Sequence, residues 1–207
     1  RSGQHPELLP QGRGGAMALK VDDLDISSEV FAIEGVVGDS VVLTENELIA
    51  GCDAVILSDY GKGGLAHIKR MISIARRHFK PVLIDPKGGD FSRYQGATLI
   101  TPNLDEFRAV AGNWKSTREF GERAMQLRRR LKVEALLVTQ GEKGMTLFSR
   151  DGRFHVPAQA REVFDVSGAG DTVIATLAVM LAGGSNFGDA VRIANRAAGI
   201  VVGKFGT

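Results

Sequence analysis

A run of small residues, Gly168-Ala169-Gly170, leads directly into Asp171 and then into a segment with helical periodicity. Small side chains let the backbone approach a ligand closely, and the free N–H groups and dipole of a helix's first turn attract anions. A carboxylate beside such an anion site is well placed to accept the proton of an attacking hydroxyl group. Asp171 also suits a plain helix N-cap, so the spacing leaves both roles open, a cap and a catalytic base.

Competing motifs for nucleotide or metal binding do not match the sequence. Gly61-Lys62-Gly63 lacks the upstream glycine and the hydroxyl residue of a P-loop, and Val173 stands where a dinucleotide fingerprint requires its third glycine. The four histidines have no metal-ligand spacing. The single cysteine, Cys52, cannot form an internal disulfide, which favours a reducing compartment.

Apolar runs that alternate with amphipathic segments predict an α/β protein with a mainly parallel sheet covered on both faces. The predicted strands cover 54–58, 81–85, 97–101, 135–139, 145–149 and 153–156, and the predicted helices cover 65–79, 103–112, 116–131, 171–182 and 187–202. In such sheets ligands bind at the carboxyl ends of the strands. We therefore expect one crevice lined by the residues at the strand ends, which are Ser58-Asp59, Asp85-Pro86-Lys87, Thr101-Pro102-Asn103 and Thr139-Gln140-Gly141.

Length and composition are those of an ordinary globular chain. The chain has 207 residues, 43% hydrophobic and 24% charged, which excludes a disordered or fibrous protein. A formal charge of +2 gives no argument for nucleic acid as a partner. The longest apolar stretch, 173–182, is about half of the ~20 residues that a spanning helix needs. We predict a cytoplasmic protein that neither enters a membrane nor binds nucleic acid.

Several spaced motifs, in order along the chain, resemble one enzyme family. They are LSDYGKG at 57–63, LIDPKGGDF at 83–91, ATLITPNLDEF at 97–107, VTQGEKGMTL at 138–147 and DVSGAGDT at 165–172. Together they resemble the ribokinase-like (PfkB) sugar kinases, and within them the bacterial heptose 7-phosphate kinases. The resemblance covers about three quarters of the chain. It implies a three-layer ribokinase-like sandwich and ATP-dependent phosphorylation of D-glycero-β-D-manno-heptose 7-phosphate at O1, in ADP-heptose biosynthesis.

The same resemblance implies roles for individual residues. Asp171 matches the general base, and Gly168, Ala169 and Gly170 match the anion hole for the transferring phosphoryl group. The residues matched to ATP and Mg²⁺ are Asn103, Leu104, Asp105 and Glu106 for the phosphates and magnesium, Thr139, Gly141 and Gly144 for the nucleotide turn, and Asn195 near the adenine. From the residues alone, Asn103 is equally a helix cap, the glycines a plain turn, and Asn195 a polar residue on an exposed helix face.

Two further groups are implied more loosely. Asp59, Lys62 and Lys87 follow strand ends and could face the phosphosugar, whose phosphate requires cationic partners. Solvated loop charges are an equally good interpretation of each of them. Asp165 and Ser167 match a monovalent-cation site, for K⁺, found in some members of the family, although Asp165 could simply stabilise its loop.

The family's N-terminal half cannot be placed in this sequence. We predict a leader of uncertain order at 1–28, a remnant of the β lid with its connection at 29–52, and the nucleotide-binding, catalytic part at 53–207. Within the second segment, residues 30–44 suit a strand pair that turns near Gly38-Asp39. Three functions stay open: a heptose 7-phosphate kinase, a kinase for another sugar or sugar phosphate, and a non-catalytic nucleotide-binding fragment. The activity of this chain without the family's N-terminal half is left open as well, and a homodimer is one candidate for its assembly.

Overall fold

The computed structural model describes residues 18–20, 30–34, 40–59, 67–159, 166 and 168–203. The strands are β1 (Ala18–Lys20), β2 (Val30–Glu34), β3 (Ser40–Thr44), β4 (Ala54–Ser58), β5 (Val82–Asp85), β6 (Leu99–Ile100), β7 (Ala135–Thr139), β8 (Met145–Ser149) and β9 (Gly152–Val156). The helices are α1 (Glu45–Gly51), α2 (Ile68–Arg77), α3 (Leu104–Ala111), α4 (Thr117–Leu131), α5 (Ala169–Ala182) and α6 (Phe187–Val202).

Seven of these strands form one sheet in the order β1-β4-β5-β6-β7-β8-β9. The pairs from β1 to β7 are parallel, and β8 and β9 add antiparallel pairs at one edge. Parallel neighbours need crossover connections, and α2 supplies one between β4 and β5, while α3 and α4 supply the one between β6 and β7. The mainly parallel sheet predicted from the sequence is confirmed.

Buried side chains alternate between the two faces of the sheet. Val55 and Leu57 of β4 join a core with α2, α3 and α4, whereas Ala54 and Ile56 join a second core with α5 and α6. The residues of β7 alternate in the same way. Because both faces are covered, the central strands read as continuous apolar runs. This arrangement is the predicted three-layer sandwich.

The region before β4 contains more regular structure than its sequence pattern indicates. Residues 18–20 lie within the predicted leader, yet they form β1 and pair with β4 in parallel register. β2 and β3 form a separate antiparallel pair, Val30 opposite Thr44, which confirms the predicted strand pair, although its turn at Gly38-Asp39 lies outside the described residues. The domain boundaries themselves stay a prediction. No helix in the described part of the chain has the length and apolar character to span a bilayer.

Polar caps fix the starts of α3 and α4. The Asn103 side chain accepts hydrogen bonds from the backbone N–H groups of Asp105 and Glu106, and the Glu106 carboxylate accepts one from the backbone N–H of Asn103, which completes a capping box. At α4 the Ser116 hydroxyl accepts a hydrogen bond from the N–H of Glu119. This cap is not a complete capping box, because the Glu119 carboxylate accepts from the N–H of Lys115 rather than from that of Ser116.

Gly144 is required by close backbone packing between the start of β8 and the exit of β9. Its φ is +84°, and a Cβ placed there would lie 2.1 Å from the carbonyl oxygen of Val156 and 2.6 Å from the nitrogen of Ala158. Neither contact is possible without moving the backbone. The structure therefore gives Gly144 a packing role, and its predicted part in nucleotide binding stays a prediction.

We predict that Gly144→Ala lowers the free energy of unfolding by roughly 2–4 kcal/mol, because it combines a left-handed backbone with a backbone clash. Urea denaturation followed by circular dichroism measures the change. Gly141→Ala is the matched control, since Gly141 also has a positive φ but open space at its Cβ position. Equal losses in the two variants would contradict the packing role.

Candidate functional site

Four charged side chains meet where β5 and β6 end at the carboxyl edge of the sheet. Asp85 is the last residue of β5, Lys87 follows it, and Glu106 lies in the first turn of α3. Asp171, in the first turn of α5, is close enough to Asp85 for its charge to raise the pKa of Asp85. We call Asp85, Lys87, Glu106 and Asp171 the edge cluster. The predicted crevice thus brings Lys87, Glu106 and Asp171 together.

Both carboxylate oxygens of Glu106 are engaged. The Lys87 ammonium donates to Oε1 at 2.5 Å, and the backbone N–H of Asn103 donates to Oε2 at 2.9 Å. Glu106 is 12% exposed, so this ion pair is more shielded from solvent than a typical surface pair. Leu104 packs against the core, and the Asp105 carboxylate pairs with Arg108 on the exposed side of α3. Of the predicted phosphate-binding residues, Glu106 is the one that contacts Lys87.

The sequence places Asp85 in the predicted crevice but assigns it no functional role, unlike the other members of the edge cluster. Burial raises its pKa to about 6, with smaller upward contributions from the charges of Glu106 and Asp171. Lys87 and a 3.3 Å hydrogen bond from the Ser58 hydroxyl act in the opposite direction. The available signal was its position as the last residue of an otherwise apolar strand, next to Pro86-Lys87. A buried carboxyl that titrates near neutrality is typical of functional sites.

Asp171 does not cap its helix. The N-cap of α5 is Gly168, whose φ of +72° is left-handed and which has no side chain to cap the first turn. Asp171 is the third residue of α5 and is exposed. The cap interpretation of Asp171 is therefore wrong, and its role as a base stays a prediction. A Cβ added to Gly170 would meet nothing within 4 Å, so the side of α5 at this position is open.

Asp59 follows β4 but is held in the interior. Its side chain is 4% exposed, the Tyr94 hydroxyl donates to its Oδ2 at 2.6 Å, and the Arg93 guanidinium lies 3.2 Å from the same oxygen. Burial, followed by this hydrogen bond, raises the pKa of Tyr94, so the phenol remains protonated. These contacts exclude the solvated-loop interpretation for Asp59. Its contact with substrate stays a prediction.

The residues predicted to form the nucleotide turn lie at the carboxyl end of β7. The backbone N–H of Thr139 donates to the carbonyl of Pro102, which joins this turn to the start of α3. Gly141 has a φ of +57° and begins a 3₁₀ turn. Asn195 is 4% exposed, and its amide donates to the carbonyl of Pro157 at 2.9 Å. The exposed-face alternative for Asn195 is therefore wrong, while its proximity to adenine stays a prediction.

Three predicted site residues, Lys62, Asp165 and Ser167, lie outside the described residues. Within the described ranges, no group of three His, Cys, Asp or Glu side chains is arranged to hold a metal ion by itself. Magnesium usually binds through one or two carboxylates together with substrate phosphates. The carboxylates of the edge cluster fit that mode, since they supply hard oxygen donors and Glu106 already holds a cationic group.

A family model described as "pfkB family carbohydrate kinase" matches residues 41–207. The chain belongs to the PfkB carbohydrate kinase family. A D-beta-D-heptose 7-phosphate kinase from Bordetella bronchiseptica is 58% identical over 99% of the chain. A bifunctional protein HldE from Hahella chejuensis is 59% identical over 77% of the chain. The chain spans 64% of the first relative's length and 34% of the second's.

Solved structures of PfkB-type kinases share the fold. Arabidopsis thaliana ribokinase complexed with ribose and ATP matches with a TM-score of 0.69 and 20% identity, over 86% of this chain and 64% of that one. Escherichia coli phosphofructokinase-2 mutant Y23D matches with a TM-score of 0.68 and 18% identity, over 77% of this chain and 55% of that one. Both likenesses confirm the ribokinase-like architecture of this family member.

We predict that Asp85→Asn stabilises the fold above neutral pH. A folded-state pKa of about 6, above the ordinary 3.8, means that Asp85 lowers stability as the pH rises through this range. Removing its charge should raise the melting temperature at pH 8 by about 2–6 °C, with the gain shrinking toward pH 4. Differential scanning calorimetry from pH 4 to pH 8 measures the melting temperature and its change with pH. Asp105→Asn, on the exposed side of α3, is the control, and a lower melting temperature for Asp85→Asn at pH 8 would contradict the prediction.

Proposed function

We propose that the protein transfers the γ-phosphoryl group of ATP to O1 of D-glycero-β-D-manno-heptose 7-phosphate, giving the 1,7-bisphosphate and ADP. The step belongs to ADP-heptose biosynthesis for the lipopolysaccharide core, in the cytoplasm. Similarity to heptose 7-phosphate kinases supports the substrate. The structural observation that carries the proposal is the exposed carboxylate of Asp171, in the first turn of α5, beside open space at Gly170 and within electrostatic range of Asp85.

Different groups of the chain would accept the proton, hold the transferring phosphoryl group and contact the nucleotide. Asp171 accepts the proton of the O1 hydroxyl as O1 forms its bond to the γ-phosphorus, and the bond from that phosphorus to the β-phosphate oxygen breaks to release ADP. The amides at Gly168, Ala169 and Gly170 hold the transferring group at the helix N-terminus, where negative charge is stabilised. Asn195, Thr139 and Gly141 would contact the nucleotide.

Glu106 and Asp85 are the residues that would hold magnesium, through phosphate oxygens or water. When bound, the ion supplies positive charge that offsets the negative charge of the transferring phosphoryl group. In the structure Lys87 neutralises Glu106. Once another cation approached Glu106, Lys87 would be released to pair with a phosphate. Lys87, with Lys62, is also a candidate for the 7-phosphate of the sugar. Asp165 and Ser167 remain candidates for K⁺.

A second candidate is a nucleotide-binding unit that lacks turnover. The chain covers only 64% of its heptose-kinase relative, which is the observation that favours this alternative. Calorimetric titration with ATP, beside an assay of ADP release, separates the two functions. A screen of other phosphosugars in the same assay separates heptose 7-phosphate from other substrates of PfkB-type kinases.

We predict that Asp171→Asn lowers kcat by about 10²–10⁴-fold, because it removes the base while preserving side-chain volume. The affinity for ATP measured by calorimetry should change less than about twofold, since the helix N-terminus is intact. Asp189→Asn, in the first turn of α6, is the matched control for removing an acid from a helix start. Near-normal turnover of Asp171→Asn would overturn the assigned role.

We also predict that Gly170→Ala separates stability from activity. Open space and helical geometry at this position mean that alanine should raise the free energy of unfolding by about 0.5–1 kcal/mol. Its methyl group would enter the space proposed for the phosphoryl group, so kcat/KM should fall by about tenfold or more. Thermal melts and steady-state kinetics of the same preparation test both effects. Unchanged kinetics would place the phosphoryl group elsewhere.

A further inference from the structure

A basic groove lies at the amino ends of the strands, opposite to the edge cluster. It has a volume of about 1270 Å³ and is formed by the C-terminal ends of α2 and α4, the β8–β9 turn and the start of α6. Among the described residues that line it, seven are arginine or lysine and two are acidic, Glu134 and Asp151. Since the whole chain carries only +2, this surface concentrates positive charge at one end of the molecule.

Two residues of the groove have a backbone conformation that normally favours glycine. Phe79 has a φ of +56° and Lys132 one of +52°, and they are the only non-glycine residues with positive φ in the described ranges. Phe79 follows the C-cap residue of α2. Its N–H donates to the carbonyl of Arg76, and the N–H of Lys80 donates to the carbonyl of Ala75. In this type of helix ending, glycine is the usual residue at the position of Phe79.

Phe79 is also 93% exposed, so its ring gains almost nothing from burial in this chain. A large apolar side chain that is both strained and solvated is costly for the isolated fold, and such outliers are concentrated at functional positions. Lys132 occupies the equivalent left-handed position at the end of α4. The two strained positions therefore present an aromatic ring and an ammonium group to the same groove.

Helix capping accounts for part of the positive charge but not for all of it. Arg128 donates to the carbonyls of Val133 and Glu134, and Arg76 donates to that of Gly96, which are ordinary ways to satisfy carbonyls near helix ends. Even so, the Nε of Arg128 is buried and has no hydrogen-bond partner among the residues that the structure describes. Capping explains neither the exposed ring of Phe79 nor Arg153, which lies on β9 rather than at a helix end.

We propose that this groove docks an acidic, extended polypeptide segment of a partner protein, with an apolar side chain of the segment against Phe79. The volume exceeds the roughly 300–1,000 Å³ typical of small-molecule pockets, which favours a chain-like occupant. The positive charge of the groove requires an acidic occupant. Glu134 and Asp151 would repel the closely spaced phosphates of a nucleic acid, whereas a polypeptide can place its carboxylates away from them.

The test uses the 207-residue chain and a fluorescein-labelled peptide of alternating glutamate and leucine, with binding followed by fluorescence anisotropy. We expect binding that weakens at least tenfold between ionic strengths of about 0.05 and 0.15 M. The double charge reversal Lys132→Glu, Arg153→Glu should weaken it by about tenfold or more. Arg130→Glu is the matched control, because Arg130 is exposed on α4 but lines a different cavity.

Phe79→Asn distinguishes a docking role from damage to the fold. Asparagine tolerates the left-handed conformation, so this variant should melt at the same temperature or about 2 °C higher, while peptide affinity falls about fivefold or more. Groove variants should leave ATP affinity unchanged. The proposal is overturned if the peptide does not bind up to about 1 mM, if Arg130→Glu weakens binding as much as the double reversal, if Phe79→Asn leaves affinity unchanged, or if a single-stranded oligonucleotide binds more tightly than the peptide.

Discussion

The cost of burying carboxylates close together is the constraint on which the carboxyl edge of the sheet depends. Burial is the largest cause of the raised pKa of Asp85, and repulsion from Glu106 and then from Asp171, which come from other elements, adds to it. Such repulsion does not stabilise a fold by itself. It persists because parallel strands buried on both faces leave their carboxyl ends as the place where polar side chains can emerge. The apolar core holds these charges together.

Lys87 limits this repulsion, and under the proposed function it would also exchange partners with a charged ligand. Its ammonium group neutralises Glu106 and lowers the pKa of Asp85 against the effect of burial. An incoming cation competes with Lys87 for Glu106, and a phosphate competes with Glu106 for Lys87. When a cation replaces Lys87 beside Glu106 and an anion replaces Glu106 beside Lys87, neither side chain is left as an unpaired charge in a low-dielectric environment. Under the proposed function, a metal and a phosphate that bound together at the edge cluster would largely offset each other's charge.

The elements of the fold follow from the sequence more directly than the details of the site. The apolar runs of β4 and β7 and the capped start of α3 were predictable, because burial on two faces and helix capping are local requirements. β6 is shorter than its apolar run, since only Leu99 and Ile100 pair within the sheet. The burial of Asn195 and the contact of Tyr94 with Asp59, 35 residues away in sequence, depend on packing between distant segments. No local pattern encodes such contacts.

The same topology that gathers carboxylates at one end of the sheet gathers cations at the other. Helices that cross over between parallel strands end where the next strand begins, so the C-termini of α2 and α4 both lie at the amino ends of the strands. Their carbonyl groups favour nearby cations such as Arg76 and Arg128. Glycine would complete the same two helix ends at lower cost than Phe79 and Lys132 do. The helix dipole thus explains the sign of the charge at this end, whereas it does not explain the side chains at the two strained positions, which the proposed docking role accounts for.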